Sequence, residues 1–139
     1  MGPWRFLAFY LICGLAAAAT HVLMSPASAV PTVGASGAIS GVMGAYLVLY
    51  PRVRVYTLLP IGFFTVALPA WTMLLYWLGL QFVSGLLGSG TAETGGVAFW
   101  AHVGGFVTGM ALVKLFARPE DVRAHREGDW QPRRVSGRW

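Results

Sequence analysis

A serine and a histidine, each inside a glycine-rich and otherwise apolar segment, are the residues of this chain best suited to do chemistry together. Ser36 lies in the tetrapeptide Gly-Ala-Ser-Gly at positions 34–37, where turn residues give way to an apolar run. His102 lies in the pentapeptide Ala-His-Val-Gly-Gly at positions 101–105, inside another apolar run. A serine hydroxyl is a weak nucleophile until a base takes its proton, and imidazole suits that work near neutral pH. The pair predicts nucleophilic catalysis if the fold brings the two side chains together.

The composition places this chemistry within a membrane. Of the 139 residues, 56% are hydrophobic and 11% are charged, whereas about 25% of the residues of a soluble domain are charged. A single cysteine, Cys13, excludes an intrachain disulfide, and no spacing resembles a metal site, so we expect neither a metal nor another cofactor. The net charge of +5 comes from residues that flank apolar segments. Anionic headgroups of the lipid bilayer, and not nucleic acid, are therefore the expected partner of these charges.

Four apolar segments are long enough to span a bilayer: residues 6–24, 34–50, 69–87 and 97–115. A helix of about 19 residues covers about 28 Å, which matches the hydrocarbon core. The stretch 55–68 is also apolar, but it is short and is interrupted by Pro60 and Gly62. We expect it to be a re-entrant or interfacial connection buried against protein. The predicted fold class is an all-α membrane protein, a polytopic bundle of four transmembrane helices.

The basic residues indicate the orientation of this bundle. With four crossings, both termini and the connection at 50–69 lie on one side, together with all ten Lys and Arg residues. The other side holds residues 25–33 and 88–96, whose only charge is Glu93. We therefore expect an integral protein of a bacterial inner membrane, with both termini cytoplasmic and the site opening to the outer side.

Residues 1–116 then form one transmembrane domain, and residues 117–139 form a charged cytoplasmic tail. The tail has two prolines, two tryptophans and no apolar helical stripe, so we expect it to be disordered or to lie on the headgroups. A secretory signal is an alternative for the N-terminus, because Arg5, an apolar run and the small residues at 27–29 follow one another. Against it, residues 6–24 are long for a signal core, and cleavage would leave only a few residues before Ser36.

The topology predicts that Ser36 and His102 can meet. Both segments run from the outer side inward, and both residues lie near the outer ends of their helices. Small residues at four-residue spacing let membrane helices pack backbone to backbone. Such pairs occur on both helices: Gly37 and Gly41 on the first, Gly105 and Gly109 on the second.

The same helix start would supply part of an oxyanion hole. Backbone N–H groups in a first helical turn are unpaired, so the N–H of Ser36 is a candidate donor to a developing oxyanion. Gly34 and Gly37 would leave room for a substrate backbone. No acidic third member is at hand, since the nearest, Glu93, is expected to be exposed, and the pair would act as a dyad. The structural alternatives are that Ser36 caps a helix and that the small residues only pack.

Several motifs in a fixed order strengthen the catalytic interpretation. They are the apolar run at 6–17, Gly-Ala-Ser-Gly-Ala-Ile-Ser-Gly at 34–41, Gly-Ala-Tyr at 44–46, Pro-Ala-Trp at 69–71 and Ala-His-Val-Gly-Gly-Phe at 101–106. Together they resemble the rhomboid intramembrane serine proteases, from about residue 4 to residue 115. The resemblance implies a bundle of at least six spans that cuts transmembrane protein substrates near the top of their helix. It implies that Ser36 is the nucleophile and His102 the general base.

The resemblance extends to a further helix, and the chain departs from the family pattern at position 40. Residues 69–87 resemble the helix that flanks lateral substrate access, with Trp77 and Gln81 at positions the family often fills similarly. Ser40 stands where some members place an aromatic ring against the histidine, so that support is expected to be missing.

At the front, rhomboids place two further spans before the counterpart of residues 6–24. The second of those spans carries a histidine and an asparagine of the oxyanion hole, and His21 matches no family oxyanion position. The resemblance thus implies an N-terminally truncated chain. We expect such a chain to be weakly active or inactive alone, since losing one oxyanion donor costs about 10²–10³ in rate.

Two other functions stay open beside the intramembrane endopeptidase. A non-proteolytic rhomboid-like protein that binds transmembrane clients is favoured by the implied missing front and disfavoured by the intact Ser36 and His102. A small channel or transporter subunit is disfavoured because the polar groups within the membrane form one compact site and do not line a path.

Overall fold

The computed structural model describes residues 1–26, 35–59, 64–88 and 98–128. The elements of this part of the chain are, in order, α1 (Pro3–Met24), α2 (Ser36–Leu49), β1 (Arg54–Leu59), β2 (Phe64–Pro69), α3 (Ala70–Gly88), α4 (Phe99–Phe116) and α5 (Pro119–Glu127). The first four helices coincide with the four apolar segments of the sequence to within three residues at each end. The prediction of an all-α membrane bundle is confirmed.

Three helices of the described part, α1, α3 and α4, are long and apolar enough to cross a membrane. The remaining apolar helix, α2, has 14 residues and covers about 21 Å, less than a hydrocarbon core of about 30 Å. It packs against both α1 and α4, which also contact each other. A crossing by α2 stays a prediction.

The core lies where α1, α2 and α4 meet, and small residues set the spacing there. A Cβ on Gly41 would lie 2.6 Å from the Cys13 sulfur of α1, and a Cβ on Gly37 would lie 2.5 Å from the Ala17 Cβ. Position 41 thus faces position 13 and position 37 faces position 17, so α1 and α2 run in opposite directions. Phe9 and Cys13 are fully buried along this contact. Close packing of this kind holds membrane helices together, because lipid offers no hydrophobic driving force between them.

The contact between α2 and α4 is a backbone contact in parallel register. A Cβ on Gly105 would overlap the carbonyl oxygen of Gly37, and a Cβ on Gly109 would overlap that of Gly41. On the other side of α4, α3 runs antiparallel, since the ring of Phe82 meets that of Trp100 and the ring of Trp77 meets that of Phe106 one to two turns further along α4. The helices therefore alternate in direction, and the starts of α2 and α4 lie at the same end of the bundle.

The connection between α2 and α3 is a β-hairpin. β1 and β2 pair antiparallel, from Arg54 opposite Pro69 to Leu59 opposite Phe64. Tyr56 is 75% exposed, so the expectation that this connection is buried against protein was wrong. Pairing satisfies the N–H and C=O groups along the facing edges of the two strands, whereas those on the outer edges point away from the partner strand. Pro60 and Gly62 lie outside the described residues.

Of the two expectations for the tail, disorder was wrong for Pro119–Glu127, which form α5, and a position on the headgroups stays a prediction. The start and end of α5 carry standard helix signals: Pro119 in the first turn, the acidic Glu120 and Asp121 beside it, and a left-handed Gly128 with φ of 80° after it. The N-terminal ammonium group lies 3.5 Å from the Asp121 carboxylate. The N-terminus and α5 therefore share one end of the bundle. Residues 129–139 of the predicted tail lie outside the described part.

Candidate active site

Ser36 is the first residue of α2 and its side chain is exposed. The cap position before it is Ala35, and within the described residues no side chain caps this helix. The Ser36 hydroxyl is thus not consumed by capping, which removes the structural alternative for this serine. The first backbone N–H groups of α2 have no intrahelical acceptor, and the positive end of the helix dipole lies beside them. Gly34, the other expected contributor here, lies outside the described residues.

Ser40, one turn further along α2, has a structural role. Its side chain is 1% exposed, and its hydroxyl donates a hydrogen bond of 2.8 Å to the carbonyl oxygen of Ser36. A bond back to the preceding turn satisfies a buried hydroxyl without any other partner. Ser36 is therefore the one serine at this helix start whose hydroxyl is accessible.

His102 lies in the first turn of α4, and two side chains of α3 hold its half-buried ring. Its Nδ1 lies 2.8 Å from the Oε1 of Gln81. The indole of Trp77 lies against the ring, with centroids 5.6 Å apart and an interplanar angle of 41°. Position 40 supplies no ring, as expected, and the aromatic contact to His102 comes from Trp77 on a different helix.

The first turns of α2 and α4 touch directly behind these two side chains. A Cβ on Gly37 would lie 3.6 Å from the carbonyl oxygen of Ala101, and one on Gly105 would overlap the carbonyl of Gly37. The residues next to Ser36 and His102 in the chain are thus neighbours in space. Among the described residues, no hydrogen bond joins the Ser36 hydroxyl to the His102 ring, and Nε2 of that ring has no hydrogen-bond partner.

The glycines predicted at the site lie within the helix contacts. Gly37 is buried, and the space in front of it is taken by Ala17 of α1. The room expected there for a substrate backbone is therefore occupied by a neighbouring helix. Gly41, Gly105 and Gly109 likewise lie where a Cβ would overlap backbone or side-chain atoms of another helix. Their positions explain why α2 can approach α1 and α4 so closely.

His21, which matches no oxyanion position of the family, is a buried polar residue. It is 9% exposed, and its Nδ1 has no hydrogen-bond partner among the described residues. It follows Phe9, Cys13 and Ala17 on one face of α1, at steps of four residues. It therefore lies one helical turn beyond Ala17, towards the end of the bundle that holds Ser36. That spacing was the available signal of its burial. No group of His, Cys, Asp or Glu side chains suited to a metal occurs in the described part of the chain.

Comparison with known proteins places this chain in a family. The family model of the Rhomboid domain matches residues 1–119. The match covers most of the chain, and the chain belongs to the rhomboid family. At the level of the family, it is an intramembrane protease or a homologue of one, since rhomboids are typically intramembrane serine proteases. No match was found among the curated proteins or among the solved structures.

Proposed function

We propose that this chain is a rhomboid-type intramembrane serine endopeptidase, with Ser36 as the nucleophile and His102 as the general base. The observation that carries the proposal is the backbone contact of Gly37 with Ala101 and Gly105. It holds the exposed Ser36 hydroxyl and the His102 ring on adjacent first turns at one end of the bundle. Membership of the rhomboid family supports the same chemistry.

The reaction would follow the acyl-transfer route of serine hydrolases. Nε2 of His102 takes the proton from Ser36 Oγ as that oxygen attacks the carbonyl carbon of the scissile peptide bond. His102 then returns the proton to the leaving amine, and an acyl-enzyme forms on Ser36. Water, activated by the same nitrogen, releases the new carboxylate. Nε2 is suited to this because Nδ1 is engaged by Gln81, whereas Nε2 has no partner in the described residues.

The oxyanion formed in each step needs donors that are already in place. The start of α2 supports such a role, because the N–H of Ser36 lies at a helix N-terminus and is unpaired within the helix. The positive end of the α2 dipole stabilises negative charge at the same place. A substrate carbonyl attacked by Ser36 would lie next to this N–H.

The substrates would be transmembrane protein segments that approach through the bilayer. Support comes from α3, whose side chains Leu75, Leu80, Val83 and Leu86 are all about half or more exposed and suit contact with lipid or with another helix. We further propose a bacterial inner membrane with both termini cytoplasmic and the site opening to the outer side, because all ten basic residues then lie on one side.

A serine-directed fluorophosphonate probe on the full chain in detergent or lipid tests this proposal without knowledge of the substrate. We expect covalent labelling that disappears in Ser36→Ala and falls at least 100-fold in His102→Ala, since general-base catalysis contributes about 10²–10⁴ in rate. Ser84→Ala on α3 and His125→Ala on α5 are matched controls that remove the same residue types elsewhere. Labelling that survives Ser36→Ala, or that is equal in His102→Ala and His125→Ala, would overturn the dyad.

A non-proteolytic rhomboid-family protein that holds transmembrane clients is the second candidate. One observation favours it: in the described part of the chain, no hydrogen bond connects Ser36 with His102. Such a protein would bind a transmembrane segment without reacting with the probe. The absence of labelling in the folded wild-type chain, together with retained binding of a transmembrane segment, would favour this candidate.

A further inference from the structure

The ring of His102 is held from α3 by two side chains one helical turn apart. Trp77 and Gln81 stand at i and i+4, a spacing that places both on one face of α3. The Trp77 indole is tilted by 41° relative to the imidazole, with ring centroids 5.6 Å apart, and its centroid also lies 6.2 Å from that of Phe106. Gln81 reaches the ring edge, with Oε1 2.8 Å from Nδ1. One side chain limits how the ring tilts, and the other limits how it rotates.

The hydrogen bond to Gln81 also determines which imidazole nitrogen carries the proton. With the Gln81 amide in this orientation its oxygen faces Nδ1, and an amide oxygen only accepts hydrogen bonds, so Nδ1 of His102 is the donor. A neutral imidazole carries a single N–H, and a proton on Nδ1 leaves the lone pair on Nε2. The other tautomer would place two acceptors 2.8 Å apart and leave Nε2 protonated. Only the first tautomer leaves Nε2 able to take a proton from Ser36.

We propose that Gln81 is a positioning residue of the active site, which fixes His102 in the tautomer and orientation that a general base requires. This inference rests on the proposed function. The hydrogen bond corresponds to that of the acidic member of a Ser-His-Asp triad, which orients the histidine through Nδ1. Here the acceptor is neutral. A neutral acceptor avoids the cost of placing a carboxylate within the membrane, and it also stabilises the imidazolium less than a carboxylate would.

Two substitutions at position 81 test whether the amide oxygen of Gln81 has this role. Gln81→Met keeps the length and the apolar packing of the side chain and removes the strong acceptor. Gln81→Glu keeps an acceptor oxygen at the same reach. The hydrogen bond to Nδ1 would be lost in Gln81→Met and retained in Gln81→Glu. Such a bond shifts the equilibrium between the two tautomers about tenfold.

The first readout is the rate of fluorophosphonate labelling of Ser36 in the full chain. We expect Gln81→Met to lower the rate constant about tenfold, Gln81→Glu to restore most of it, and Ser84→Ala on the same helix to leave it unchanged. If the wild-type chain is labelled and Gln81→Met is labelled at the same rate, the inference is wrong while the proposed function stands. If the wild-type chain is not labelled, the proposed function fails, and the second readout still tests the inference.

That second readout is the ¹⁵N NMR spectrum of the histidine rings, in which the two tautomers give different pairs of shifts. The signals of His102 are those that vanish in His102→Ala. We expect a protonated Nδ1 and an unprotonated Nε2 in the wild-type chain, and a mixture of tautomers in Gln81→Met. A wild-type His102 with its proton on Nε2, or a spectrum that Gln81→Met does not change, would overturn the inference whether or not Ser36 reacts.

Discussion

The two sides of α4 are packed in different ways. Towards α2, glycine meets backbone: Gly105 faces the carbonyl of Gly37, and Gly109 faces that of Gly41. Towards α3, side chain meets side chain, as with Trp77 against His102. The first contact fixes where the helix starts lie and leaves no space for even one methyl group. The second orients a ring and can adjust. Nucleophile and base would thus be placed by backbone contacts, while the base alone is oriented by side chains.

The largest effect in this comparison is expected from Gly109→Ala. The new Cβ would overlap the oxygen and the carbonyl carbon of Gly41, neither of which can turn aside without moving α2. Overpacking of a tight core typically costs about 1–3 kcal/mol and occasionally more, and we expect a loss of about 3 kcal/mol in the free energy of unfolding. Thermal or denaturant unfolding of the purified chain measures it.

Gly79→Ala is the matched control, since a Cβ at Gly79 would meet no described atom within 4 Å. We expect no loss of stability, and a gain of up to about 1 kcal/mol, because alanine has a higher helix propensity than glycine in a helix interior. Equal losses for Gly79→Ala and Gly109→Ala would mean that the α2–α4 contact is not the tight one.

An intermediate effect is expected from Trp77→Ala. The change removes one ring that contacts both His102 and Phe106, and each aromatic pair is worth about 0.5–1.5 kcal/mol. We expect a stability loss of about 1–2 kcal/mol and a several-fold lower rate of Ser36 labelling. Trp77→Phe retains a ring and should recover most of both. A loss from Trp77→Ala larger than that from Gly109→Ala would reverse the comparison between the two sides of α4.

The smallest effect is expected from Gly85→Ala, on the α3 side of α4. The added Cβ would lie 3.0 Å from Cε2 of the Trp100 ring, a contact that a shift of that ring by a few tenths of an ångström would relieve. We expect a loss below about 1 kcal/mol in the free energy of unfolding, measured in the same experiment. A cost as large as that of Gly109→Ala would show that side-chain contacts with α3 are as unyielding as backbone contacts with α2.

The sequence was sufficient to predict the helices and the shared end of Ser36 and His102. Apolar length locates membrane helices. Consecutive crossings run in opposite directions, so two helices separated by a single crossing start on the same side. Glycines at four-residue spacing on two helices indicated which faces meet, and Gly105 and Gly109 do face Gly37 and Gly41. These features repeat along one helix, so they are visible in a linear sequence.

The partners of His102 could not be predicted in the same way. The i, i+4 spacing of Trp77 and Gln81 shows that they share a face of α3, but it does not tell which helix that face meets. A hydrogen bond between residues 21 positions apart depends on the rotation of α3 about its axis, which many weak contacts set together. For the same reason, Ser40 showed that no ring comes from that position of α2, but not that Trp77 of α3 lies against the histidine.

The hairpin and α5 were missed for a different reason. The stretch 55–68 was interpreted by its apolar length, although β1 and β2 pair with each other along their facing edges. The tail was interpreted by the absence of an apolar stripe, although the signals of α5 are at its ends, in Pro119, Asp121 and Gly128. In both places, local backbone hydrogen bonding outweighed the hydrophobic pattern.

The most direct test of the Ser36–His102 dyad is an experimental structure of the full chain after reaction with the fluorophosphonate probe. We expect phosphorus bonded to Oγ of Ser36 and Nε2 of His102 within about 2.6–3.2 Å of the adduct. We also expect Nδ1 of His102 to keep its hydrogen bond to Gln81. An adduct on another residue, or a His102 ring whose Nε2 points away from Ser36, would contradict the dyad.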